Sequence, residues 1–458
     1  MWGTTDAGAK VVVEFAGQSK STISGDDGKW MVNLAPMKAQ AIGNRMAVTS
    51  GDATLEIQDL LVGEVWYASG QSNMEMNLAS CAQKIEFVRE VISDPKSRLI
   101  RTMRIGNPDS AGELDDLPGP VSWQLDTPTT RPGQSAAAYF YARELHDELK
   151  VPVGIIEGSW GGKPIEGFIP REQFKKSPLL KTILELAEAD ELEKLAKIEG
   201  GVIIRNTAGM PGRIYNARIA PVAPYAVKGF LWYQGESNAG TGEDPRNYRL
   251  KQRAMVEGWR SAWKEYQLPF YFVQLPSYND SVVGWVRLRE EQRLSLEVPN
   301  TGMAVTLDLR DRDIHPSNKV DVGKRLAKWA LAKTYGKEWA FSGPLFKSVK
   351  TEGREMRVDF HHTGDGLMIA RKEGLAAPVE DAGGKLAHFE LAGESGEWHA
   401  AEAKIDGESV VVRSEAVAAP VAVRYACEGD PENANLYNRA GLPASPFCSE
   451  LEFLPWGD

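Results

Sequence analysis

The chain has 458 residues, 42% of them hydrophobic and 25% charged, proportions that bury a sizeable core and, at this length, imply two or three domains. Its net charge of −10 argues against a nucleic-acid or anionic-membrane partner, and no apolar run approaches the length of a membrane span. Three cysteines, Cys81, Cys427 and Cys448, are too few for a disulfide scaffold and lack zinc-site spacing, so free thiols are expected, with Cys427 and Cys448 the one pair a bridge would join.

Met1-Trp2-Gly3-Thr4-Thr5 lacks the charged and apolar regions of a signal peptide and runs at once into strand-like sequence, as if a preceding segment had been trimmed. Residues 1–62 read as short strands, with Val11, Val12 and Val13 in the first and Gly25-Asp26-Asp27-Gly28 as a turn, so a small N-terminal β-sandwich is expected. From Val62 the texture changes to buried strands alternating with helices. Strands are predicted at 65–69, 153–157, 227–233, 269–275 and 301–307, and helices at 136–150, 179–197, 247–266, 287–296 and 319–335. Strands that return after helices run parallel with right-handed crossovers, which predicts an α/β fold with a three-layer α/β/α sandwich over residues 63–338. After about Gly336 short strands resume, at 356–361, 367–371, 387–391, 410–414 and 421–426, and residues 339–458 are expected to form a C-terminal β-rich domain docked closely on the rest.

Metal and nucleotide chemistry lack their usual signatures: there is no His-Glu-x-x-His, no phosphate-binding loop and no Gly-x-Ser-x-Gly elbow. Gly70-Gln71-Ser72-Asn73-Met74 directly follows the first buried strand. A glycine there lets the backbone turn sharply and presents the next side chains at the carboxyl edge of the sheet, where open α/β folds place their sites. Ser72 is therefore the candidate nucleophile; the alternative is an ordinary helix cap. Gly133-Gln134-Ser135 shares the tripeptide but follows Pro132 in a loop.

A serine hydroxyl needs an adjacent base. Of six histidines, His361, His362, His388 and His399 fall in the C-terminal β region and His146 on a charged helix, whereas His315 lies between the last sheet strand and the last helix, at the same edge as Ser72. Asp313, two residues before it in an extended loop, is placed to orient the imidazole. Trp232-Tyr233-Gln234-Gly235-Glu236-Ser237-Asn238 follows another strand. Its Gln234 amide, with the Ser72 N–H and the N–H of Gly161 or Gly162, are the candidate donors to an oxyanion, and Glu236 is the alternative partner of His315.

At these residues the sequence resembles the sialate O-acetylesterase family of the SGNH hydrolase superfamily. The resemblance is carried by Gly63-Glu64-Val65-Trp66 leading into Gly70 to Met74, by Ser159-Trp160-Gly161-Gly162-Lys163-Pro164-Ile165-Glu166, by Trp232 to Asn238 and by Asp313-Ile314-His315-Pro316. Asn435-Leu436-Tyr437-Asn438 and Gly441 to Phe447 add to it. It implies the flavodoxin-like SGNH fold, a carboxylic ester hydrolase that needs no metal or cofactor, Ser72 and His315 as nucleophile and base, acetylated mono-, oligo- or polysaccharide as substrate, and a secreted or periplasmic location. The superfamily commonly places its acid three residues before the histidine, where this chain has Arg312, which leaves Asp313 and Glu236 as the competing third members. Two rival readings are a non-catalytic glycan-binding protein, for which the 13 Trp residues and the β-rich flanks would supply stacking platforms, and an esterase for lipid esters or thioesters.

Overall fold

The computed structural model describes residues 1–279 and 283–456. At its centre is a seven-stranded sheet in the order Thr301–Ala304, Phe270–Val273, Gly229–Tyr233, Glu64–Gly70, Val153–Glu157, Ile100–Arg104, Gln124–Leu125. The first six run parallel, and only Gln124–Leu125 at the edge is antiparallel.

Near-continuous apolar runs such as Phe270-Tyr271-Phe272-Val273 suit strands covered on both faces. Alternation along the strands sends Tyr67, Ile156, Phe230, Trp232 and Phe272 into one core, and Trp66, Ile155, Leu231, Tyr233 and Tyr271 into the other. Helices Pro178–Glu188 and Tyr248–Trp263 pack into the first core, and Ala136–Leu149 and Lys319–Trp329 into the second. The chain is thus a mixed α/β protein with helices on both faces of the sheet. Trp259 meets the rings of Tyr67, Phe230 and Trp232 edge-on, which ties the Tyr248–Trp263 helix to the strands that lead into the site.

Several elements differ from the sequence expectation. The helix expected over 179–197 breaks into Pro178–Glu188 and Leu192–Leu195 at Asp190, which takes a left-handed conformation at φ 58°, although Leu195 keeps to the same core as Leu180, Ile183, Leu184 and Ala187. The last helix is α-helical only to Trp329 and continues as a wider π turn over Ala330–Thr334. Ile100–Arg104 went unforeseen as a strand: Arg101 and Arg104 interrupt its apolar pattern, and near the sheet margin both reach carboxylates, of Asp59 and Glu75 respectively.

Strands Lys10–Phe15, Gln18–Ile23, Gln40–Ser50 and Ala53–Val62 form an antiparallel sheet with its own small core of Val11, Val13, Phe15, Val32 and Met46. The C-terminal strands behave differently. Met356, Val358, Phe360, Leu391, Tyr425 and Phe447 join the same apolar cluster as the central sheet, so no solvent layer separates them from it. Cys81, Cys427 and Cys448 are free thiols. Among the described residues no helix is long and apolar enough to cross a membrane.

Parallel strands put all their carboxyl ends on one side. The loops after Gly70, Glu157, Tyr233 and Ala304 therefore converge at a single edge.

Candidate active site

The strand Glu64–Gly70 ends where Gly70 adopts φ 141°; a Cβ there would lie 2.1 Å from the Tyr233 carbonyl oxygen, so no other residue fits this turn. Gln71 caps the short helix Ser72–Glu75, and its backbone N–H donates to the Tyr233 carbonyl at 2.9 Å. Ser72 is thereby held at the sheet edge, half-buried.

Across from it, His315 Nε2 lies 2.8 Å from Ser72 Oγ, joining residues 243 positions apart. With Nε2 as acceptor the imidazole carries its proton on Nδ1, which faces Asp313 Oδ1 at 3.7 Å. That is ion-pair reach and not a hydrogen bond. Asp313 instead accepts the backbone N–H of His315 at 3.0 Å, so it shapes the loop more directly than the ring. Asp311 closes the same loop by accepting the backbone N–H groups of Asp313 and Ser317.

Glu236, the alternative partner of His315, is directed elsewhere. It is buried and accepts a hydrogen bond from the Asn73 amide, whose Nδ2 also donates to the Ile314 carbonyl at 2.8 Å. Asn73 Oδ1 accepts from Lys319 Nζ at 2.6 Å, and the same ammonium donates to the Pro316 carbonyl at 2.6 Å. Glu236, Asn73 and Lys319 thus form a buried chain that grips the His315 loop on either side, at Ile314 and Pro316. Burial raises the Glu236 carboxyl above its ordinary range, and burial lowers Lys319 to about 8.

The Gln234 amide, a candidate oxyanion donor, is taken up by internal partners. Its Nε2 donates to Gln71 Oε1, the Lys163 carbonyl and Asn238 Oδ1, and its Oε1 accepts the Tyr248 hydroxyl at 2.6 Å. The cause is packing: Gln234 is fully buried under Tyr248, and an amide there must satisfy its own polar atoms. Gly161 sits beside Ser72, its virtual Cβ 3.4 Å from that of Ser72, but its N–H donates to Glu75 Oε2 at 2.8 Å. Glu75 is held in turn by Arg104 at 2.7 Å. Gly162 takes φ 67° at the exposed tip of the loop. Trp160, on the same loop, donates its backbone N–H to the Gly70 carbonyl at 2.9 Å, and the Lys163 ammonium lies 5.0 Å over its ring.

Sequence reasoning passes over Gln71 and Lys319 as individual residues and offers Asn73 only as a helix cap. One signal for Lys319 was present: a lysine at the first position of a helix opposes the helix dipole and needs a local reason to be there. Ser135 plays a structural part, capping its own helix while its hydroxyl donates to the Met74 carbonyl at 2.6 Å.

His315 is pushed below the ordinary histidine value, first by burial and then by the Lys319 charge, while Asp313 and Asp311 pull it back up. Should His315 act as a general base it must be neutral, and the acidic limb of a kcat/KM profile is then expected below pH ~6.5. Asp313→Asn removes one raising charge and should move that limb to still lower pH. Because Asp313 does not bond the ring, kcat should fall about 10- to 100-fold, short of the ~10⁴ known for a bonded orienting acid. A limb that moved upward would contradict this electrostatic balance.

The sequence model of the family "carbohydrate esterase, sialic acid-specific acetylesterase" matches residues 62–332. The sialate O-acetylesterase of Rattus norvegicus is 31% identical over 422 residues, spanning 81% of this chain and 77% of the relative. That of Homo sapiens is 31% identical over 391 residues, spanning 76% and 70%. Among solved structures, a carbohydrate acetylesterase from Xanthomonas citri superposes with a TM-score of 0.84 at 33% identity, covering 98% of this chain and 94% of that one.

Proposed function

The chain belongs to the sialic acid-specific acetylesterase family of carbohydrate esterases, and from its standing as a carboxylic ester hydrolase we propose that it removes acetyl groups from sugar hydroxyls through an acetyl-serine intermediate. The observation that carries this reading is the 2.8 Å approach of His315 Nε2 to Ser72 Oγ at the carboxyl edge of a parallel sheet. The helices on both faces support assignment to the SGNH three-layer sandwich, with the catalytic domain over 63–338 and β-rich flanks at 1–62 and 339–458.

In the first step His315 Nε2 takes the Ser72 proton while Oγ bonds to the acetyl carbon and the carbonyl electron pair moves onto oxygen. Collapse of the tetrahedral species breaks the bond to the sugar oxygen, which receives the proton from His315. Water, deprotonated by the same imidazole, then adds to acetyl-Ser72; acetate leaves and Oγ regains its proton. Asp313 contributes by holding the His315 loop and by its charge near Nδ1. The Ser72 N–H and the Gly161-Gly162 loop are suited to meet the oxyanion, and Gly161 does so once its N–H exchanges the Glu75 carboxylate for substrate.

The reading takes an acetylated mono-, oligo- or polysaccharide as substrate and its deacetylated sugar hydroxyl as leaving group; the partly buried Trp160 ring and the Lys163 ammonium beside it, on the loop of Gly161, are the groups suited to hold the sugar. A secreted or periplasmic location is the one the family resemblance suggests.

The test is acetate release from acetylated sialic acid, xylan, xyloglucan and pectin, alongside aryl esters of short and long acyl chains. Acetate is expected from at least one glycan, and acetyl should be preferred over long acyl. Binding without turnover would favour a glycan-binding role, and preference for long chains a lipid esterase.

A further inference from the structure

Ester hydrolysis needs fixed donors where the carbonyl oxygen becomes negative, and two of the expected ones are engaged in the resting protein: the Gln234 amide is consumed internally and the Gly161 N–H is held by Glu75. One amide next to the nucleophile is not consumed. Gln71, 3% exposed, directs its Oε1 at two donors, Gln234 Nε2 at 3.1 Å and the Ser237 backbone N–H at 3.1 Å. Two N–H groups pointing at one oxygen decide the orientation of the amide, because the flipped arrangement would set NH₂ against both of them. The Nε2 group must therefore face the other way. Among the described residues it has no acceptor, yet it does not belong to the fully enclosed unpartnered polar atoms, so it opens toward solvent.

The orientation is held from behind by a fully buried relay: the Tyr248 hydroxyl donates to Gln234 Oε1, and Gln292 Nε2 donates to the Gln234 carbonyl at 3.0 Å. Such a donor costs no reorganisation when charge develops.

We propose that the side-chain amide of Gln71 is a catalytic donor to the oxyanion, aimed by Gln234 and Ser237. In the attack step, as the Ser72 Oγ–carbon bond forms and the carbonyl pair localises on oxygen, that oxygen accepts a hydrogen bond from Gln71 Nε2 as well as from the Ser72 N–H. Gln234 is then a positioning residue that acts through Gln71.

This inference rests on the serine-esterase reading. The discriminating variant is Gln71→Glu, which keeps an oxygen for Gln234 and Ser237 to bond but replaces the donor with a negative charge; Gln71→Ala is its companion. With an aryl acetate, kcat should fall about 100- to 1000-fold in both while KM changes less than about three-fold. Affinity for a small alkyl boronic acid, which adds to the serine hydroxyl as a tetrahedral anion, should weaken by a similar factor. A merely structural role would not produce this split, and circular dichroism is expected to show both variants folded. If Gln71→Glu retains kcat within three-fold while Ser72→Ala is inactive, the Gln71 proposal fails and the esterase reading stands. If Ser72→Ala is as active as the unsubstituted protein, the esterase reading itself fails.

Discussion

Ser72→Ala is expected to lower kcat for acetate release by about 10⁶-fold, the size seen when a serine nucleophile acting with its histidine is removed. The change deletes one oxygen whose hydrogen-bond partner is His315 Nε2. It leaves the Gln71 cap and the Gly70 turn in place, since both are made by backbone. A half-buried serine outside the apolar core contributes little to stability, so the unfolding free energy should change by about 0.5 kcal/mol or less. Mass spectrometry of the unsubstituted protein mixed rapidly with an aryl acetate should detect an acetyl adduct on the Ser72 peptide, absent in the variant. Acetate release at the original rate from a folded Ser72→Ala protein would end the serine mechanism.

Lys251→Met should be the most damaging single change to stability near the site, at about 3–5 kcal/mol in a urea titration. Lys251 and Glu166 are 1% and 0% exposed, with Nζ 2.6 Å from Oε1, an ion pair whose contact lies off the hydrogen-bond direction. Glu166 Oε2 accepts from Asn238 Nδ2 at 3.0 Å, and Asn238 Oδ1 accepts the Ile165 N–H and the Gln234 amide. The pair therefore underpins both the loop after Tyr233 and the segment after Lys163. Removing the ammonium strands a carboxylate in the interior. A buried pair replaced as a whole by apolar groups is often nearly neutral, so Lys251→Met combined with Glu166→Leu should recover part of the loss, less the Asn238 hydrogen bond. A single variant that lost under 1 kcal/mol would show the pair to be solvated.

Sequence and structure met most closely where local pattern carries the information. The carboxyl ends of five parallel strands were placed within a few residues, because strands buried on both faces read as continuous apolar runs and each is followed by a turn. Ile100–Arg104 escaped since its arginines are satisfied by carboxylates from other parts of the chain, which no local window contains. The loop residues divide in the same way. Ser72 and His315 could be paired in advance because each follows a strand that ends at the same edge. Glu236, the alternative to Asp313 as partner of His315, binds Asn73 instead, and Gln234, a candidate oxyanion donor, binds Gln71, Lys163 and Asn238.

The amino-acid sequence by itself determined the α/β class, the order of the site-bearing loops and the nearness of Ser72 to His315, since periodicity and strand-end glycines are short-range properties. Tertiary structure alone decided which polar group each buried side chain answers. Moving an acceptor by 1 Å turns a hydrogen bond into a mere proximity, as between Asp313 and the His315 ring, and burial forces every amide and ammonium to take the partner that packing leaves within reach.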